Sequence, residues 1–168
     1  MKRWYAAMCK PLQDARAECN LRNQGYHVLR PLVRTRKRRR QGGTKTVTES
    51  LFPRYLFIHL DDLNENWAPI RSTLGVSGLV RFGGLAVPVP DTIMQGMQLR
   101  LDRESGCIDL TRDTDYRTNQ PVRITSGPFA GHDALFLARS GEERVIVLLD
   151  IMQQAQRLKL PEQMIASA

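Results

Sequence analysis

Leu51-Phe52-Pro53-Arg54-Tyr55-Leu56-Phe57-Ile58-His59-Leu60 is the most hydrophobic stretch of the first hundred residues. A short apolar run of this kind, ending in the turn signal Asp61-Asp62, reads as a strand lying inside a domain. Upstream, Arg3–Met8 reads as a strand. Pro11–Gly25 reads as a helix, with proline in its first turn, Leu12, Ala15 and Cys19 at helical spacing, and glycine at its end. Tyr26–Val33 reads as a further strand. Arg34–Arg40 then carries six basic residues in seven, followed by the turn Gln41-Gly42-Gly43 and the β-branched stretch Thr44–Thr48, which makes a hairpin with a cationic arm. Downstream lie a short helical candidate, Asn66–Ser72, a strand over Val76–Phe82, and a helix between Pro90 and Leu101 whose apolar face is Ile93, Met94, Met97 and Leu101. Helices alternating with strands that are partly joined by hairpins imply an α+β sandwich with an antiparallel sheet. They do not imply a doubly wound nucleotide fold.

The 168-residue chain has a formal charge of +8 and a pI near 9.9, which favours a polyanionic partner. That charge is unevenly placed. Residues 1–100 hold 17 Lys+Arg against 7 Asp+Glu, and residues 101–168 hold 8 against 10. Residues 101–116, with Asp102, Glu104, Asp109, Asp113 and Asp115 and little apolar periodicity, read as an acidic, solvated linker. The organisation expected is a basic domain over 1–100, the linker, and a small domain over 117–168.

In the tail, Val122, Ile124, the turn Ser126-Gly127-Pro128, Gly131 and Ala134–Leu137 suit short strands of a small β-barrel. Glu142–Leu160 contains no glycine or proline. Val145, Leu148, Met152 and Ala155 recur there at helical spacing, and Val145, Val147, Leu149 and Ile151 at strand spacing. Both conformations stay open for this segment.

Cys9, Cys19 and Cys107 share no C-x-x-C or zinc-ligand spacing, and Cys9 reads as a buried free thiol, so a reducing cytoplasm is expected. No run has signal-peptide or membrane-spanning length. His27, His59 and His132 are isolated from other metal ligands, and no nucleophile elbow, P-loop or zinc-protease signature occurs, so neither catalysis nor a cofactor is expected. The basic run suits a phosphate-contacting arm. Lys10, Gln13, Arg16 and Asn20, spaced three, three and four apart, fall on one helix face whose residue types can bond both phosphates and base edges.

Tyr5, Cys9-Lys10, Leu51–Phe57, Gly75-Val76-Ser77, Val80–Gly83, Val122-Arg123-Ile124 and Gly127-Pro128-Phe129-Ala130-Gly131 together resemble the NusG family of transcription elongation factors, the last group resembling its KOW motif. The opening strand, the first helix with Gln13, Arg16-Ala17, Leu21 and Gln24, and Gly141–Arg144 ahead of Leu148–Ile151 are most similar to its RfaH-type antiterminator branch. The resemblance implies a bacterial, monomeric, cytoplasmic factor that suppresses pausing and termination. RNA polymerase would be met at its clamp helices through Phe52, Tyr55, Phe57, Met94 and Met97, and at its gate loop through Asn66 and Trp67. Non-template DNA would be met through Lys10, Gln13, Arg16, Asn20, Arg71 and Thr73, with Arg36, Lys37, Arg38, Arg39 and Arg40 on the basic hairpin.

A tail of that branch is either a helical hairpin masking the polymerase site or a β-barrel binding a small-subunit ribosomal protein, with Glu49 and Arg144 as the interdomain ion pair. Departures from the branch are Leu74 in place of arginine, Asn66-Trp67-Ala68 in place of His-Thr-Thr, Asn20 in place of histidine, and Pro128 in place of alanine. A proline within a helix costs about 3 kcal/mol, unless it opens the helix. Two rival readings are a general NusG-type housekeeping factor and a ribosome-associated KOW RNA-binding protein.

Overall fold

A computed structural model describes residues 1–61, 63–111, 134–136, 138 and 140–159, the last three of these by their backbone alone. The element order is β1 (Lys2–Cys9), α1 (Asp14–Asn23), β2 (His27–Leu29), β3 (Leu32–Arg38), β4 (Thr44–Ser50), β5 (Tyr55–Asp61), a 3-10 turn (Ala68–Ser72), β6 (Val76–Leu79), β7 (Arg81–Phe82), β8 (Leu85–Ala86), α2 (Asp91–Arg100), β9 (Cys107–Asp109) and α3 (Gly141–Lys159).

The decisive stretch forms β5, which pairs antiparallel with β1 and β2 inside a four-stranded sheet ordered β2-β5-β1-β6. Its continuous hydrophobicity has a simple cause: both faces are covered. Leu56, Ile58 and Leu60 point into a cluster with Ala17 and Leu21 of α1, while Phe57 points into the opposite cluster with Met94 and Met97 of α2. Each such side chain contributes roughly 1.5–3 kcal/mol on burial.

A second sheet, β4-β3-β9, carries the basic hairpin. Its register is regular from Leu32↔Ser50 to Arg38↔Thr44, so the expected hairpin is present. Several other expectations need correction. Tyr26–Val33 is two strands, because Pro31 cannot donate to a ladder and its carbonyl instead accepts the Leu51 N–H at 2.9 Å. Val76–Phe82 divides at Val80, and β7 turns through Gly83-Gly84 into a two-residue hairpin with β8. Asn66–Ser72 narrows to the 3-10 turn. The stretch read as a solvated linker contributes β9, which runs parallel to β3 and buries Cys107, Ile108 and Leu110; its apolar residues were too few to show a period, yet they close the sheet.

The first helix is shorter than expected and turned differently. It starts at Asp14, buries Ala17 and Leu21, and leaves Leu12, Ala15 and Cys19 exposed. Gly75 packs on the face so buried. At φ +92° it presses on the helix so closely that a Cβ would stand 2.8 Å from the Ala17 backbone nitrogen. Residues 134–136, expected in a strand, are helical, and the ambiguous segment after Gly141 is a helix throughout. The Val122–Gly131 motif and Leu137 lie outside the described residues.

Cys9 is buried as expected, and burial pushes its thiol up to about 12. A thiol that ionises less readily folded than unfolded adds stability below its ordinary value of 9.0, and that stability is lost as pH rises toward 12. Native protein at pH 8 should therefore react with a thiol reagent at exposed Cys19 and spare Cys9 until denaturant is added. Gly75→Ala should lower unfolding free energy by about 2 kcal/mol or more, read from urea denaturation, since it adds both left-handed strain and a backbone clash.

Candidate nucleic-acid interface and covered apolar patch

The turn before β6 is fastened along α1 in register. Gln24 donates to the Thr73 hydroxyl at 2.9 Å, Asn20 Nδ2 donates to the Leu74 carbonyl at 3.1 Å, and the Lys10 N–H donates to the Gly75 carbonyl at 2.8 Å. Residues from three elements thereby share one corner. Lys10 and Arg16 are exposed there, and Gln13 and Asn20 are half-buried. Lys10 precedes the helix, Gln13 is its N-cap residue, and Arg16 and Asn20 lie on it, so the four expected residues do not form a single helical face; Lys10 and Asn20 meet the same turn, at Gly75 and Leu74. Thr73 is only 5% exposed, and its hydroxyl donates to the Pro69 carbonyl at 3.0 Å. It positions the turn from within. Arg71 lines a neighbouring cleft of about 610 Å³ with Trp67, Ser77 and Arg81.

On the hairpin, Arg34, Arg36 and Arg38 stand opposite Thr48, Thr46 and Thr44. Lys37 lies directly across from Lys45, a like-charge pairing that favours an anion nearby. Lys37, Arg38, Arg39, Arg40 and Lys45 border one groove, and in that group Lys37 is ion-paired, with Glu49.

Four of the five residues expected in the apolar patch come together, but in the interior and not on the surface. Phe52, Phe57, Met94 and Met97 are each at most 1% exposed, and they share one cluster with Leu135, Phe136, Leu148 and Met152. Tyr55 packs at the margin with its hydroxyl 3.7 Å from the Met8 sulfur. Asn66 and Trp67 are not part of it. Trp67 packs on the opposite cluster, edge-on to Tyr5, and donates its indole N–H to the Asp61 carbonyl, while the Asn66 carbonyl accepts from the Tyr26 hydroxyl.

α3 resolves its two periods in favour of the helical one. Arg144, Leu148 and Met152, four apart, are buried, whereas Val145, Val147, Leu149 and Ile151 are all half-buried. Its start is a capping box: the Glu143 N–H donates to Ser140 Oγ at 3.1 Å, and the Ser140 N–H donates to the Glu143 carboxylate at 3.3 Å. Gly141 fits against the Pro53 ring so tightly that a Cβ would fall 2.4 Å from Cγ. Further along, Gln156 donates to the Phe82 carbonyl at 3.3 Å, and Arg100 stacks on Phe136 at 3.9 Å.

Arg144 is 1% exposed and donates from Nε to the Leu51 carbonyl at 2.7 Å and from Nη1 to the Ala138 carbonyl at 3.3 Å. Nη2 is buried without a partner. Burial pushes the guanidinium down from its ordinary value, and the charges of Glu49 and Glu143 oppose this. The Glu49–Arg144 pair is therefore an influence at a distance and not a contact, because Lys37 holds the Glu49 carboxylate. Sequence reading gave Ser140, Gly141, Pro53 and Leu51 no role in seating α3. Ser140-x-x-Glu143 was the available signal; the other three act through shape or backbone.

Among the described residues no group of three or more His, Cys, Asp or Glu side chains is arranged to hold a metal, and no helix is long and apolar enough to cross a membrane.

Residues 2–98 match the family model described as "Transcription termination factor nusG", which defines the class as that of the NusG-type transcription factors. The chain belongs to the NusG family. It is 30% identical over 146 residues to the transcription termination/antitermination protein NusG of Thermus thermophilus, covering 76% of this chain and 77% of that one. It is 29% identical over 138 residues to the NusG of Staphylococcus carnosus, covering 77% and 75%. A solved structure described as "Domain interaction in Thermotoga maritima NusG" is 26% identical with a TM-score of 0.40, and the match covers 58% of this chain and 55% of that one.

Replacing Gly141 by alanine raises intrinsic helix propensity but drives a methyl into Pro53. If α3 is held against the domain as described, Gly141→Ala should lower amide-exchange protection along α3 by about tenfold or more. An undocked helix would gain protection instead.

Proposed function

We propose that this chain is a transcription elongation and antitermination factor of the RfaH type, resting with its polymerase-docking surface sealed by its own C-terminal helix. The observation that carries the proposal is the enclosure of Phe52, Phe57, Met94 and Met97 beneath Leu148 and Met152. Aromatic and methionine side chains in a patch are suited to seat on a helical partner, and a patch of that size is normally covered in a soluble chain. The factor acts by occupancy. It meets the clamp helices of RNA polymerase through the uncovered patch and single-stranded non-template DNA through Lys10, Gln13, Arg16 and Asn20, while the hairpin's cations neutralise phosphates. No covalent step or cofactor enters. The released tail, in its barrel form, is the part that would bind a small-subunit ribosomal protein.

A general NusG-type factor is the second reading, favoured by the names of the curated relatives. Recruitment separates the two. The specialised factor acts on templates carrying a particular non-template element, and the general factor acts on any template.

In a full-length Leu148→Asp variant a carboxylate would have to be buried against the patch, so the helix should leave it. This variant should bind elongation complexes about tenfold or more tighter than the unaltered chain, and should shorten pauses on templates where the unaltered chain is inactive. Equal binding by the two proteins would end the sealed-surface reading. Binding by neither would end the polymerase reading.

A further inference from the structure

Lys10-Pro11-Leu12-Gln13 is a tight turn in which the Gln13 N–H donates to the Lys10 carbonyl at 3.1 Å. Proline suits the second position of such a turn, and a positive φ at the third calls for glycine or asparagine. This chain has leucine there, at φ +59°. A bulky side chain in the left-handed region is strained.

The same construction recurs next to it, which makes the contrast informative. Phe52-Pro53-Arg54-Tyr55 is also a turn closed by an i to i+3 hydrogen bond, 3.0 Å from the Tyr55 N–H to the Phe52 carbonyl, and Arg54 sits at φ +68°. These two are the chain's non-glycine positive-φ residues among those described, and Arg54 is bonded to Cys9 and Asp14, which flank the first turn in sequence. Arg54 has internal compensation. Its N–H donates to Asp14 at 2.9 Å, its carbonyl accepts from the Cys9 N–H at 2.7 Å, and its Nε donates to the Cys9 carbonyl at 3.2 Å. Leu12 has nothing comparable, since its side chain stands fully in water. A costly backbone conformation thus presents a large apolar group outward, between Lys10 and Gln13 in a turn that leads into the helix carrying exposed Arg16.

We infer that Leu12 is a base-contacting residue, which packs against an unstacked nucleobase of single-stranded DNA whose phosphates are held by Lys10 and Arg16. This rests on the DNA-reading role proposed for that corner and adds to it a specificity determinant. The occupant follows from the surroundings. An apolar side chain flanked by cations and amides suits a ligand with alternating apolar faces and anionic links, and a base can offer a π-face or a thymine methyl. Duplex DNA hides those faces in its stack, so an unpaired strand is the form that fits.

The test exploits opposite signs. Leu12→Gly relieves the left-handed strain, so its melting temperature should equal or exceed that of the unaltered protein, while its affinity for DNA should fall. Fluorescence anisotropy at low salt would compare full-length protein, Leu12→Gly and Arg16→Ala on a labelled single strand of about 12 thymidylates and on an abasic strand of equal length. Leu12→Gly should bind the thymidylate strand about fivefold or more weakly and bind the abasic strand as the unaltered chain does. Arg16→Ala should weaken binding to both. Unchanged affinity of Leu12→Gly for the thymidylate strand, with Arg16→Ala weakened, would overturn the role of Leu12 and leave the DNA corner standing. An equal loss on both strands would also overturn it, since Leu12 would then act through the backbone. If Arg16→Ala binds as the unaltered chain does, or nothing binds, the DNA corner itself fails and Leu12 with it.

Discussion

Covering Phe52, Phe57, Met94 and Met97 is the constraint on which the arrangement depends. These side chains come from the turn before β5, from β5 and from α2, on the side of the sheet that α1 does not reach. Left open, four large apolar groups would form a patch of the kind soluble chains rarely show without a partner. Here the cover comes from the same chain, through Leu148 and Met152 on one stripe of α3, with Leu135 and Phe136 beside them. In the function proposed above, removing this cover is what would release the factor from an inactive state.

The polar contacts around that cover are incompletely satisfied. Arg144 enters a buried position with two of its nitrogens bonded to carbonyls and the third unpartnered, and a buried polar group left unsatisfied costs about 1–3 kcal/mol. The carboxylate best placed to compensate, Glu49, is held by Lys37. The apolar contacts therefore hold α3 down while the charged ones contribute little.

Much of the domain could be read from residue order because its signals are local. The hairpin around Gln41-Gly42-Gly43, the doubly buried β5 and the Ile93, Met94, Met97 face of α2 each follow from a pattern a few residues long. What escaped depended on distant neighbours. α1 turns Ala17 and Leu21 inward, on the face where Gly75 packs from another part of the chain, and β9 is defined by its pairing with β3 and by no pattern of its own. The candidate site divides the same way. Lys10, Gln13, Arg16 and Asn20 were legible as residue types, whereas their meeting at one corner required the turn at Thr73–Gly75. The patch residues were legible as apolar, but nothing near them in sequence indicated that Leu148 and Met152 of a distant helix would close over them. For α3 itself the period was divided, and the capping box at Ser140 and Glu143 together with burial against α2 decides it.

The most direct test of this account is a nuclear Overhauser experiment on methyl-labelled, full-length protein in solution. It should give cross-peaks between the methyl groups of Met94 or Met97 and those of Leu148 or Met152, with helical Cα shifts through residues 141–159. Strand-type shifts over Val145–Ile151 with no such cross-peaks would contradict it.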